Sequence, residues 1–291
     1  MTSTDRRAAL RVGTGLVAGG AFAAACSTSG SSTGRSSGPS PGVSSPGSPS
    51  GPPRGSAASS SGAVSPGAGR APKSSQAPAG PLSAPTPRAF PGQPAQITHG
   101  PRDRPRVALT FHGQGEPALA EALLAEAERH GARVTVLAVG TWLDQHPGLA
   151  RRILDGGHDL GNHTHRHLDI NAMSEAEARS EIVVCAARLK KLTGSVGTWF
   201  RPSRTARASP LVERLARDAG YPHVLSYDVD SLDFTSPGGP AVAATVLREI
   251  RGGSVVSLHF GYPDTLAALP AVLDGLAHRG LRAVTTTELL S

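Results

Sequence analysis

Apolar and polar positions change their pattern near residue 104 of the 291-residue chain. Beyond it, short apolar runs alternate with longer stretches whose apolar residues recur at helical spacing. Residues 107–111 (V-A-L-T-F) predict a buried strand, and 133–139 a second. Between them, 117–130 predicts a helix, with Pro117 in its first turn and Gly131 closing it. Residues 143–154 predict a helix interrupted near Pro147, and 158–161 a short strand. The run S-E-A-E at Ser174 to Glu177 is a capping box opening a long helix over 174–192. Strands at 197–200, 223–227, 254–258 and 281–284 then alternate with helices at 210–219, 241–250 and 266–278. Strict alternation of strand and helix implies a parallel α/β sheet or barrel, whose chemistry gathers at the C-terminal ends of the strands.

Composition changes the picture of the first third. Residues 27–97 are mostly Ser, Gly, Pro and Ala, with too little apolar surface to offset their ordering entropy, and are expected to be a disordered linker. Residues 1–26 read as an export signal: Arg6 and Arg7 resemble a twin-arginine pair, an apolar Gly/Ala-rich run follows, and A-A-A-C ends at Cys26. Small residues before a cysteine resemble a bacterial lipobox, which implies a lipid on Cys26, a membrane anchor, and a protein on the outer face of the cell membrane or secreted. Cys185, the other cysteine, lies at apolar helical spacing and is expected in the core. The net charge of +7 does not indicate nucleic acid, because the arginines are interspersed with acids and no basic stripe carries interleaved aromatics.

The candidate chemistry lies where the strands end. His112, His163, Arg201, Asp230 and His259 each follow closely on a predicted strand. H-T-H-R-H, from His163 to His167, puts two histidines four residues apart, able to converge on a metal such as Zn from one compact turn. By spacing alone, a polar surface loop accounts for it equally well. G-Q-G-E-P-A, from Gly113 to Ala118, matches a dinucleotide fingerprint, but the next strand lacks the acid that would hold a ribose. No G-x-S-x-G elbow for a serine nucleophile occurs.

These residues carry a resemblance. The stretch from Val134 through His146 and Pro147 to G-H-D-L-G-N-H-T-H-R-H-L resembles the polysaccharide deacetylase family, the NodB-homology domain of carbohydrate esterase family four. F-R-P at Phe200, D-S-L-D-F at Asp230, V-V-S-L-H ending at His259 and the closing segment from Gly280 follow in family order. The resemblance implies an irregular (β/α) barrel over residues 98–291 that removes acetyl groups from polysaccharide or peptidoglycan-type glycan, using a divalent metal such as zinc. On the matching positions it implies His163 and His167 as metal ligands and His259 as general acid. It implies Asp230 as the carboxylate behind His259, and Arg201 as the group that orients the base. The first motif departs from the family pattern T-F-D-D-G: His112 stands at the position of the base and Gly113 at that of the third ligand. Ser203 and Arg204 replace a proline and an aromatic. Two functional classes therefore remain: a hydrolase with a rebuilt metal site and His112 as base, and an inactive deacetylase-fold lipoprotein that binds glycan.

Overall fold

The structure, a computed structural model, describes residues 84–291. The expected signal (1–26), Cys26 and most of the linker lie outside the described residues. The linker was expected to reach residue 97, yet 84–97 is part of the folded body. Phe90 is buried, stacks on Trp199 with ring centroids 5.3 Å apart, and its N–H donates to His223 Nε2 at 2.9 Å. The reason is local: Phe90 and Ile97 are the large apolar side chains in an otherwise small-residue segment, and both find the core.

The chain then runs through β1 (Gln96–Ile97), β2 (Arg106–Gly113), α1 (Pro117–Arg129), β3 (Thr135–Ala138), α2 (Gly140–Gln145), α3 (Gly148–Asp155) and β4 (Asp159–Asn162). It continues with α4 (Glu175–Thr193), α5 (Pro210–Asp218), β5 (Val224–Leu225), β6 (Val229–Asp230), α6 (Gly239–Glu249), β7 (Val255–His259), α7 (Pro263–His278), β8 (Arg282–Ala283) and α8 (Thr286–Leu289). The capping box forms as expected: Ser174 and Glu177 cap α4, and Gly194 closes it at φ 82°. The strand expected at 197–200 shrinks to bridges made by Phe200, parallel to Asn162 and to Val224. The helix expected at 143–154 divides into α2 and α3 at His146–Pro147, where the chain leaves the helical ladder.

All strand ladders are parallel. The order is β4-β3-β2-β7-β6, with β8 also on β2, and Phe200 extends the curve from β4 to β5. No ladder joins β5 to β6 among the described residues, so the barrel is irregular and open there. Alternation along β2 sorts its residues between two cores. Val107, Leu109 and Phe111 join the large outer cluster against α1 and α7, whereas Ala108 belongs to the inner cluster with Leu137, Trp199 and Val255. His112 has the parity of Ala108 and Thr110 and so faces inward. Gly113 has the parity of Phe111. None of the described helices is long and apolar enough to cross a membrane.

Candidate metal and catalytic site

His112 ends the inward face of β2, opposite His259 at the end of β7 in the same register. Its ring centroid lies 4.3 Å from that of His163 and 4.2 Å from that of His259. His163 follows β4, and its loop is pinned on several sides. His163 N–H donates to Ala138 O, Gly140 N–H to Thr164 O, and Thr141 N–H to His165 O. The Asn162 side chain spans Ile182 O, Tyr221 Oη and Thr164 N. Left-handed backbone at Thr164 (φ 65°) and His167 (φ 57°) folds the run so that His167 returns to within 4.9 Å of His163, centroid to centroid. His165, the middle histidine, turns away toward Gly140 and α2.

One ring nitrogen each of His112, His163 and His167 lies within 4.8 Å of the others. His163 Nδ1 is 3.0 Å from the carbonyl oxygen of Arg201; donating there leaves Nε2 as the bare nitrogen. That Nε2 is buried and has no hydrogen-bond partner. A lone acceptor buried beside two further imidazoles fits a cation, and an outer partner that fixes the tautomer is what metal-bound histidines use. Burial first, then the charges on neighbouring His163, His259, Arg201 and His167, hold His112 well below its ordinary value. His163 is likewise held low by burial, then by His167. His167 falls to about 4, through burial, then Arg204 and His259. All three are thus neutral at neutral pH, the form that ligates.

His259 has a carboxylate behind it, and that carboxylate is Asp233. His259 Nδ1 is 2.6 Å from Asp233 Oδ1, and the His259 N–H donates to Oδ2 at 2.7 Å. Thr265 Oγ1 adds a third bond at 2.6 Å. Burial opposes the Asp233 charge, but the bonds and charge from His259, with Thr265, outweigh it and hold the carboxyl below its usual range. The sequence reading placed Asp230 in this role. Asp230 instead ends β6 and accepts from the Leu232 N–H at 3.1 Å. Leu232 and Ser236 are left-handed (φ 56° and 53°), and that reversal carries Asp233, three residues on, beneath His259. The signal was the second acid of D-S-L-D-F.

Arg201 is fully buried. Its Nε and Nη2 donate to Leu225 O and Ser226 O, both at 3.1 Å, and Nη1 has no partner. Burial lowers it to about 10, opposed by Tyr227 and Asp230, so it stays charged at neutral pH. Its carboxylate neighbour is therefore Asp230. Ser257 Oγ stands 3.3 Å from His112 Nε2. Besides Asp233, the roles of two further residues escaped sequence reasoning. Glu181, buried on α4, accepts from His165 N at 3.0 Å, Arg166 N at 2.7 Å and Arg166 Nε at 2.6 Å, clamping the histidine loop. Its signal was an acid in the buried stripe of Ala178, Ile182 and Cys185. Ser203, at a position that departs from the family motif, accepts from Thr164 Oγ1 at 3.0 Å and donates to Leu168 O.

His112, His167 and His259 open onto a cavity of about 380 Å³ lined also by Arg204, Tyr227, Asp230 and Tyr262. Phe234 and Tyr262 flank His259 edge-on, with centroids 5.6 and 5.7 Å away. Thr164, His167, Arg204, Leu232 and Ser236 are the non-glycine residues at positive φ among those described, and all lie around this site. Such strain, about 1–3 kcal/mol each, persists where surrounding structure enforces it.

Known proteins agree with this architecture. The family model for polysaccharide deacetylase matches residues 99–224. A peptidoglycan-N-acetylglucosamine deacetylase of Bacillus cereus is 30% identical over 194 residues, covering 65% of this chain and 90% of that protein. The chain belongs to the polysaccharide deacetylase family. Among solved structures, a mutant of a Bacillus anthracis CE4 family pseudoenzyme with restored enzymatic activity superposes at TM-score 0.65, with 25% identity over 68% of this chain and 72% of that one. A family 4 carbohydrate esterase from Streptomyces lividans, in complex with acetate, gives TM-score 0.57 and 27% identity over 61% and 91% of the two chains. This polysaccharide deacetylase family member thus shares a fold with both working and catalytically impaired proteins.

Proposed function

We propose that the protein is an exported, metal-dependent hydrolase that releases acetate from N-acetylated sugars of cell-envelope glycan. The observation that carries this reading is the bare, buried Nε2 of His163, set beside His167 and within reach of the His259–Asp233 pair. His163 and His167 would hold a divalent ion, zinc by the preference of imidazole donors. Bound there, such an ion supplies Lewis acidity toward an acetyl carbonyl. His259 holds a proton for the departing amine, and Asp233 fixes its ring so that Nε2 faces the cavity. Arg201 contributes a fixed positive charge below the histidines. Phe234 and Tyr262 present aromatic edges and faces where a sugar ring and an acetyl methyl would lie. The B. cereus relative's name, a peptidoglycan-N-acetylglucosamine deacetylase, supports the glycan class, and the twin-arginine-like start with Cys26 supports export to the outer face of the cell membrane or beyond it.

The test is acetate release from N-acetylated glycan oligomers by the full chain with added zinc. Release that stops with chelator and with His259→Ala is the expected result. A second reading, glycan binding without cleavage, draws on one observation: neither position 112 nor 113 carries an acid. Retained glycan binding without acetate release from any tested oligomer would establish it.

A further inference from the structure

We propose that His112 is the third protein ligand of this centre, so that the ion is held by three imidazoles and no carboxylate, and His112 is not the base. The inference rests on the metal-dependent reading above and reassigns one residue within it. Its observations are independent of that residue's place in a motif. The candidate ligand nitrogens of His112, His163 and His167 all lie within 4.8 Å of one another, and no acid joins them among the described residues. The three come from two separate parts of the barrel, the end of β2 and the loop after β4, which converge only in the folded state. Strand parity turns His112 into the barrel interior. At Gly113 a Cβ would stand 2.9 Å from Val136 Cγ1 and 3.0 Å from Ala138 Cα, so that position is packed against β3 and offers no room for a ligand. The ring of His112 lies between those of His163 and His259, 4.3 and 4.2 Å from each. It is therefore a member of the imidazole cluster.

The chemistry differs from a mixed carboxylate–histidine site. Three neutral donors leave the full charge of a dication uncompensated, beside the buried Arg201 cation. An all-imidazole set also favours zinc, copper, nickel or cobalt over manganese, magnesium and calcium, which prefer oxygen donors.

The experiment is metal titration and zinc-edge X-ray absorption on the full chain, stripped of metal, for the wild type, His112→Ala, His112→Asp and His163→Ala. The wild type is expected to bind one zinc with three imidazole scatterers and to discriminate against manganese. Loss of an outer-shell partner of a metal ligand costs about 10–100-fold in affinity, so removal of a ligand should reach or exceed about 100-fold. His112→Ala should lose at least that much and show two imidazoles. His112→Asp, which keeps a donor should the alanine variant fail to fold, should bind zinc with one imidazole fewer. If His112→Ala binds zinc as tightly as the wild type, or His112→Asp keeps three imidazoles, while His163→Ala loses the metal, this inference falls and the metal-dependent reading stands. If the wild type takes up no zinc, or His163→Ala binds it unchanged, both fall.

Discussion

Replacing Asp233 by Asn separates the two acids of D-S-L-D-F and tests the assignment of the proton-donating pair. Asp233 is fully buried and accepts three hydrogen bonds, one at Oδ1 from His259 Nδ1 and two at Oδ2 from His259 N and Thr265 Oγ1. An amide keeps one acceptor oxygen and turns the other position into a donor. With its NH2 at the Oδ2 position it meets two donors. With NH2 at the Oδ1 position it keeps the two bonds and forces His259 to accept at Nδ1, moving the imidazole proton to Nε2. Either orientation loses at least one hydrogen bond to a charged acceptor, about 1.5–3 kcal/mol each. Urea denaturation should therefore show the metal-free variant destabilised by roughly 2–3 kcal/mol. The variant also loses the negative charge that pairs with a protonated His259 ring, the form that gives up a proton from Nε2; positioned acid–base groups contribute about 10²–10⁴-fold, so kcat for acetate release should fall by that factor. Asp230→Asn weakens one 3.1 Å bond, from Leu232 N–H, and removes the carboxylate charge beside Arg201, but leaves the His259–Asp233 pair intact, and should change kcat by less than about tenfold. The reasoning is refuted if Asp230→Asn is the more damaging of the two, or if Asp233→Asn keeps both its stability and its turnover.

Glu181→Gln replaces the carboxylate that clamps the histidine loop through two backbone N–H groups and Arg166. Zinc affinity, measured by competition titration, should drop by about 10–100-fold, the usual cost of an outer-shell partner, while His259 chemistry is untouched. The site histidines also set a pH dependence. His167 is lowered to about 4 from an ordinary value near 6.5, and burial holds His112 and His163 well below that ordinary value too. These groups bind fewer protons folded than unfolded, so their contribution to stability is full above about pH 6.5 and declines as pH falls toward 4. The urea midpoint of the metal-free protein should fall across that window, and a His163→Ala/His167→Ala double variant should show a flatter profile. Phe90→Ala tests whether the end of the presumed linker is structural: loss of its stack on Trp199 should cost about 3–5 kcal/mol, read by thermal or chemical unfolding, whereas a free linker residue would cost nothing measurable.

How much of this was legible in the sequence depended on whether a residue's role is set locally or by convergence. Helix caps and strand parity are local, and S-E-A-E, Pro117 and V-A-L-T-F stood out because a few adjacent residues decide them. The pairing of His163 with His167 was legible for the same reason, since one short turn brings them together. The choice between Asp230 and Asp233 was not. It is made by left-handed backbone at Leu232, and nothing in the residue type of a leucine announces that conformation. Glu181 and Ser203 act on a loop that lies 15 and 39 residues away in the chain, so their purpose exists only after α4 and the Phe200 bridge have docked. The inner edge of the linker was missed because composition averages over Phe90, whose partner Trp199 is more than a hundred residues downstream.

The same distinction bears on the first motif. Read as a string, His112 and Gly113 are two acids replaced, a base and a ligand lost together. In the barrel the two positions are not equivalent: 112 faces the interior, and 113 is pressed against Val136 and Ala138. A single side chain at 112 therefore remains available to the site, and it carries a nitrogen that reaches the other two. The substitution leaves the number of inward donors at three while removing their negative charge. An ion held by these three imidazoles would supply stronger Lewis acidity than one paired with a carboxylate, which would lessen what a separate base must do. Loss of both acids is thus compatible with hydrolysis on chemical grounds. Whether His112→Asp raises or lowers acetate release decides the matter: a rise would mean that the carboxylate was missed, and a fall that the three-imidazole centre is the working one.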